Sequence, residues 1–217
     1  KGEYFYWKGI VNQQLRKMQN AENDYQTAIE YKFENPQLFN NFAILLSENG
    51  KNEKALLMIN KAIALDNKYP EAFSARAKIN FALLDFDSAC KDGKTAIKLG
   101  HRHPFQVPDS ICNGTLNQKL QFASDVFAVN KLYKQGIIGY TMLINNKVVK
   151  SDNFLNRGYC YFQTKEYVNA EKDYLKALSL PKASLDQIYD NLSLLYFDMN
   201  NFEKSIQYST KRIELNP

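Results

Sequence analysis

The sequence predicts an all-α fold of stacked antiparallel helix pairs, and three observations carry that prediction. Pro36, Pro70 and Pro104 lie 34 residues apart. Units started at Gly2, Pro36 and Pro70, and again at Asn117, Ser151 and Asp186, align six segments on one template. The eighth template position then reads Gly9, Ala43, Ala77, Ser124, Gly158 and Ser193, and the twentieth reads Ala21, Ala55, Ala89, Gly136, Ala170 and Ser205. Such self-similarity at a fixed period marks a repeat architecture, in which no single unit can bury its own apolar face.

Each element follows from the template. Small residues at positions eight and twenty let the two helices of a pair approach closely. Large apolar residues recur at position four (Phe5, Phe39, Phe73, Leu120, Phe154, Tyr189), and aromatics at position seventeen (Phe86, Tyr133, Tyr167, Phe202) fill space between pairs. Breaks between units are signalled by Glu34-Asn35-Pro36, Asn67-Lys68-Tyr69-Pro70 and Leu215-Asn216-Pro217, and a turn within a unit by Asn49-Gly50. The first unit is irregular at Lys8 and Asn12, and the third at Asn80 and Gly93, where an aromatic is missing and packing should thin. Leu143 stands where the fourth unit calls for a small residue, so its helices are expected to splay. The domain plan is repeats one to three over 2–103, an inserted loop over 104–116 and repeats four to six over 117–217. The insert reads as a loop rather than a helix. It is either a plain linker or a segment whose Phe105, Val107 and Ile111 dock on the array, and docking is favoured because loops this long are uncommon without a role.

The run Asn201-Phe202-Glu203-Lys204-Ser205-Ile206, leading to Leu215-Asn216-Pro217, resembles the second helix and closing turn of tetratricopeptide repeats. The likeness extends over nearly the whole chain, and Ala89-Cys90-Lys91-Asp92 through Leu99-Gly100 is similar to repeats of Bacteroidota type. The resemblance implies a right-handed α-solenoid whose first helices line a concave groove for a peptide or protein segment. On the groove positions it places Asn41, Asn156 and Asn191, whose amides can both donate to and accept from an extended main chain. Trp7, Phe122, Tyr159 and Phe162 share that surface, with Trp7 and Tyr159 the preferred anchors and part of the aromatic set expected to turn into the core. Family members that grip a chaperone's C-terminal carboxylate use cations at set groove positions. Those positions here hold Tyr6, Ile10, Glu71 and Ala75, or Gln121, Asp125, Gln187 and Asn191, so that mode is not expected.

Composition narrows the rest. A 45% hydrophobic and 24% charged chain is globular in type, and no apolar run is long enough to cross a bilayer. The net charge of +5 is spread evenly, without the stripe expected of a nucleic-acid binder. Cys90, Cys112 and Cys160 are too few and too scattered for a disulfide framework or zinc site and suggest free thiols, Cys112 being the reachable one. His101 and His103 read as a surface turn rather than a metal site. Asn113-Gly114-Thr115 and Asn191-Leu192-Ser193 match glycosylation sequons by chance. No catalytic motif, metal site or cofactor-binding loop stands out. The expectation is a non-catalytic scaffold, an adaptor or assembly factor. The alternative is a structural module that self-associates through uncapped ends or lodges in a larger complex, in the cytoplasm or the periplasm.

Overall fold

Among residues 1–215, which the computed structural model describes, there are thirteen α-helices and no strand. Asn216 and Pro217, where a helix break is expected, lie outside the described residues. Four short connections and one longer segment join six helix pairs, with a four-residue helix inside the longer segment. The pairs are α1 (Gly2–Gln14) with α2 (Met18–Glu30), α3 (Pro36–Glu48) with α4 (Asn52–Leu65), and α5 (Pro70–Ala82) with α6 (Phe86–Lys98). After the short helix α7 (Asp109–Cys112) come α8 (Leu116–Val129) with α9 (Tyr133–Asn145), α10 (Ser151–Gln163) with α11 (Tyr167–Leu178), and α12 (Leu185–Asp198) with α13 (Phe202–Leu215). The chain divides into two compact units, Lys1–Asn113 and Gly114–Pro217.

Local chemistry sets the helix ends. Pro36 opens α3, where its missing N–H costs nothing, and the Asn35 side chain accepts from the Gln37 and Leu38 amides. Thr115 and Gln118 form a reciprocal capping box on α8. Within every pair the turn uses one device. The fifteenth residue (Arg16, Gly50, Leu84, Lys131, Lys165, Asn200) has φ between 56° and 73°, and the amide after it donates to the carbonyl five residues back. This is the Schellman closure, and only Gly50 and Asn200 are residue types that favour it. Lys165→Gly, at an exposed position, is therefore expected to stabilise the second unit by about 0.5–1 kcal/mol, raising the urea midpoint. A lowered midpoint would remove the argument.

The small-residue columns act as expected. A Cβ at Gly9 would meet the Tyr25 ring at 2.6 Å, and one at Gly158 would meet Tyr174 at 2.8 Å, so only hydrogen fits beneath these buried tyrosines. Positions three and ten face the preceding pair, as with Leu38 and Leu45 or Ile188 and Leu195, all fully buried. The expected splaying of the fourth pair is not observed. Leu143 is fully buried, and Gly136 and Gly139 on the same helix leave room for close approach to α8.

The irregular residues of the first and third pairs turn out to be coupled. Lys8 bonds Asp24 at 2.8 Å, while Asn12 donates to the same carboxylate at 2.6 Å. Arg76 grips Asp92 with two bonds of 2.8 Å, and Asn80 donates to it at 3.1 Å. Arg157 grips Asp173 in the fifth pair at 2.7 and 2.8 Å. All three pairs join template positions seven and twenty-three, so a polar clamp alternates with apolar packing along the repeats. Each carboxylate is nearly buried and needs its cation.

The cysteine expectation is corrected here. Cys90 and Cys112 form a disulfide, and only Cys160 is a free thiol. The segment after α6 docks on the third pair and supplies what Gly93 lacks. The Phe105 ring packs on Phe81 at 5.4 Å, its N–H donates to Ser74 Oγ at 2.9 Å, and Val107 is buried. A Cβ on Gly93 would lie 3.0 Å from the Phe105 carbonyl oxygen, so the missing aromatic is the space this segment fills. Residues 109–112 within the insert are helical, contrary to the loop expected, because Pro108 opens a single turn.

Candidate functional site

Among the described residues, a cleft opens on the first helices of each unit. In the second unit a cleft of about 420 Å³ is lined by Asp125, Ala128 and Val129 of α8, Lys131 of the turn, Tyr133 and Tyr140 of α9, and Asn156 and Tyr159 of α10. The predicted Asn156 and Tyr159 are thereby brought together. Tyr140 donates to Asp125 Oδ1 at 2.6 Å, Gln121 donates to the same carboxylate at 3.1 Å, and the Asn156 amide reaches the Tyr140 hydroxyl. Tyr133 and Tyr159 meet edge to face at 6.0 Å on the rim.

In the first unit a cleft of about 500 Å³ is lined by Ile10, Gln13 and Gln14 of α1, Arg16 of the turn, Met18 and Tyr25 of α2, and Asn41 and Glu48 of α3. Tyr25 donates to Gln13 Oε1 at 2.8 Å, and Asn41 makes a long 3.4 Å bond to the Tyr6 hydroxyl. Asn41 is thus placed as Asn156 is, on the helix that follows the pair forming most of the wall.

The other predicted residues fall elsewhere. Trp7 is 57% exposed beside Tyr6 and lines neither cleft. Phe122 is half-buried on α8. Phe162 turns onto Tyr167 at 6.0 Å and joins the core of the second unit, the inward fate expected for part of the aromatic set. Asn191 is half-buried on α12, following the pair in which Phe162 and Tyr167 close together. Sequence reasoning missed Tyr25, Tyr140, Arg16 and Lys131. Reading columns fifteen and twenty-four down the template would have found them.

Burial, more than any neighbouring charge, raises the hydroxyl pKa of Tyr140 well above its ordinary value near 10, and the hydrogen bond to Asp125 adds to it. Burial does the same first for Tyr25 and Tyr174, and lifts Tyr69 to about 12. Unfolded tyrosines ionise near pH 10, while these stay protonated in the fold, so above that pH the unfolded chain holds fewer protons and stability falls. The urea midpoint is expected to be level from pH 7 to 9 and to drop steeply between pH 10 and 12. A level profile to pH 12 would contradict the burial of these hydroxyls.

A repeat of helix pairs with open clefts on its first helices defines a protein-interaction scaffold of the helical-hairpin class. The comparisons with known proteins agree. The model of the tetratricopeptide repeat family matches residues 2–35, 151–184 and 186–217. Over those residues the chain carries tetratricopeptide repeats. It is 30% identical over 141 residues to human tetratricopeptide repeat protein 16, covering 63% of this chain and 16% of that protein. The mouse counterpart is 31% identical over 143 residues, covering 64% and 18%. The chain therefore spans less than a fifth of either relative. Similar solved folds include a tetratricopeptide repeat protein from Parabacteroides merdae, at 17% identity and a TM-score of 0.44 over 100% of this chain and 79% of that one. Another is YrrB, described as having an unusual peptide-binding site, at 18% identity and a TM-score of 0.44 over 89% and 92%.

Proposed function

We propose that this chain is an adaptor or assembly factor that holds an extended peptide segment of a partner on its first-helix face. The observation that carries the reading is the cleft joining Asp125, Tyr140, Asn156 and Tyr159. There an amide that can donate and accept stands beside an aromatic rim, the combination that holds a main chain while giving a side chain apolar contact. The family likeness supports a protein or peptide ligand but does not name it, because function lies in the site rather than in the fold. The Cys90–Cys112 bond supports work in an oxidising compartment, and so favours an envelope or secretion-side assembly role over a cytoplasmic one.

The test is a pull-down from native lysate with mass spectrometry, comparing the wild-type chain with Asn156→Ala/Tyr159→Ala. A partner caught by the wild type and lost by a variant of unchanged helicity supports the reading. A partner caught equally by both moves the interface away from this face. Self-association through the ends is the second reading, favoured by the exposed Phe197 and Phe202 pair on the last two helices. A monomeric mass by light scattering across a dilution series would remove it.

A further inference from the structure

The clamp between template positions seven and twenty-three occurs in the first, third and fifth pairs, and in two of them its cation also reaches back to the pair before. Arg76 donates to Asn60 Oδ1 of the second pair at 2.9 Å, and Arg157 donates to Thr141 Oγ1 of the fourth at 3.0 Å. Both acceptors stand at position twenty-five. Side chains pack around each of these bonds. Positions three and ten of the clamped pair are buried (Ala72 and Ile79, Asn153 and Cys160). Positions twenty-one and twenty-eight of the unclamped pair before it are half-buried (Leu56 and Ile63, Ile137 and Ile144).

Both halves of this junction also occur uncovered in the chain. The sixth pair is unclamped and carries Ile206 and Ile213 at positions twenty-one and twenty-eight, 67% and 60% exposed. Phe202 is exposed one turn before Ile206, and Thr210 stands exposed at position twenty-five. The first pair is clamped and presents Tyr4 and Val11 at positions three and ten, 65% and 53% exposed, with Lys8 at position seven. Asp24 holds one Lys8 donor, and an ammonium has three, so a proton is left for a hydroxyl such as that of Thr210. Tyr4 is larger than Ala72 or Asn153, while Ser209 at position twenty-four is smaller than Ile59 or Tyr140, so bulk shifts towards the leading helix.

Resting on the self-association reading above, we infer that the α12–α13 face of one copy receives α1 of a second copy in the register of the internal junctions. Lys8 then reaches Thr210, and Tyr4 and Val11 cover Ile206 and Ile213. The alternation of pairs selects this occupant. A clamped pair follows an unclamped one twice within the chain, and the sixth pair followed by the first continues that order in phase. The contact joins two different surfaces, so each end of a pair of copies keeps one free face and association runs past the dimer.

Light scattering over a dilution series, with circular dichroism at 222 nm as the check on folding, tests the contact. The wild-type mass is expected to rise with concentration beyond that of a dimer. Val11→Asp blocks the leading face and Ile206→Asp the trailing face, and both side chains are exposed in the single chain, so helicity should hold. Each variant alone should remain a monomer. Their equimolar mixture should form a dimer and grow no further, because one intact face of each kind remains. A dimer formed by either variant alone would mean that like faces pair, and overturns the head-to-tail contact. Association undiminished in both variants also overturns it and leaves self-association through another surface standing. A wild-type monomer throughout overturns both and leaves the exposed faces to a different partner. The peptide-binding reading is tested apart, by Asn156→Ala/Tyr159→Ala. Trp7 gives a second readout, since position six borders the preceding pair, as the Asn41 bond to Tyr6 shows. Its emission should move to the blue as the wild type is concentrated but not in Val11→Asp. A rising mass with unchanged emission would overturn the contact through α1.

Discussion

Asp173→Ala is expected to destabilise the second unit by about 3 kcal/mol, read as a lower urea midpoint by circular dichroism at 222 nm. The Asp173 side chain is 4% exposed and its partner Arg157 only 15%, so removing the carboxylate leaves a guanidinium in a site that water barely enters. Arg157 has little freedom to escape. Two of its nitrogens hold Asp173, its third reaches Thr141 Oγ1 at 3.0 Å, and its plane lies over Phe154 and Tyr161 at 5.6 and 5.7 Å. The cost therefore comes mainly from the stranded cation rather than from the lost attraction. That reasoning predicts partial rescue: Arg157→Leu/Asp173→Leu should be more stable than Asp173→Ala alone. It also predicts a graded series. Lys8 is 48% exposed and can turn to water, so Asp24→Ala should cost only about 1 kcal/mol. Equal losses at Asp24 and Asp173 would show that the carboxylates act through something other than their buried cations.

Breaking the Cys90–Cys112 bond should cost the first unit a similar amount, about 3 kcal/mol by the loop-closure relation for residues 22 apart. The single tryptophan, Trp7, lies in α1, so its fluorescence follows the first unit while circular dichroism follows both. Reduction, or Cys90→Ser/Cys112→Ser, should shift the Trp7 transition and leave the second unit's transition in place. The released segment would uncover Phe81, which is 3% exposed beneath Phe105, and bound hydrophobic dye should rise. Thiol counting gives an independent check. Burial raises the Cys160 thiol to about 12, so the native chain should show no reactive thiol. The unfolded, unreduced chain should show one, and the unfolded, reduced chain three. A native chain with two reactive thiols would mean that the bond does not form.

By itself the sequence determined the helix pairs, their boundaries and their close approach. Those depend on residue type at a fixed spacing: proline starting α3 and α5, small residues where helices cross, and large ones four positions into each unit. Asn41, Asn156 and Tyr159 were legible as groove candidates because template positions fix which face of a helix a residue occupies. The tertiary structure decided matters that depend on distance between residues far apart in the chain. Lys8, Asn12 and Asn80 read as flaws until Asp24 and Asp92 were seen facing them from the next helix. Gly93 read as a packing loss until Phe105 filled it, and Cys112 read as a free thiol until its segment folded back onto Cys90. Phe162 and Tyr159, three residues apart on one helix, have opposite fates, one closed against Tyr167 and one at the rim of a cleft. A repeat period fixes where a side chain points. What it meets there is set by the neighbouring element, and that is decided only when the pairs stack.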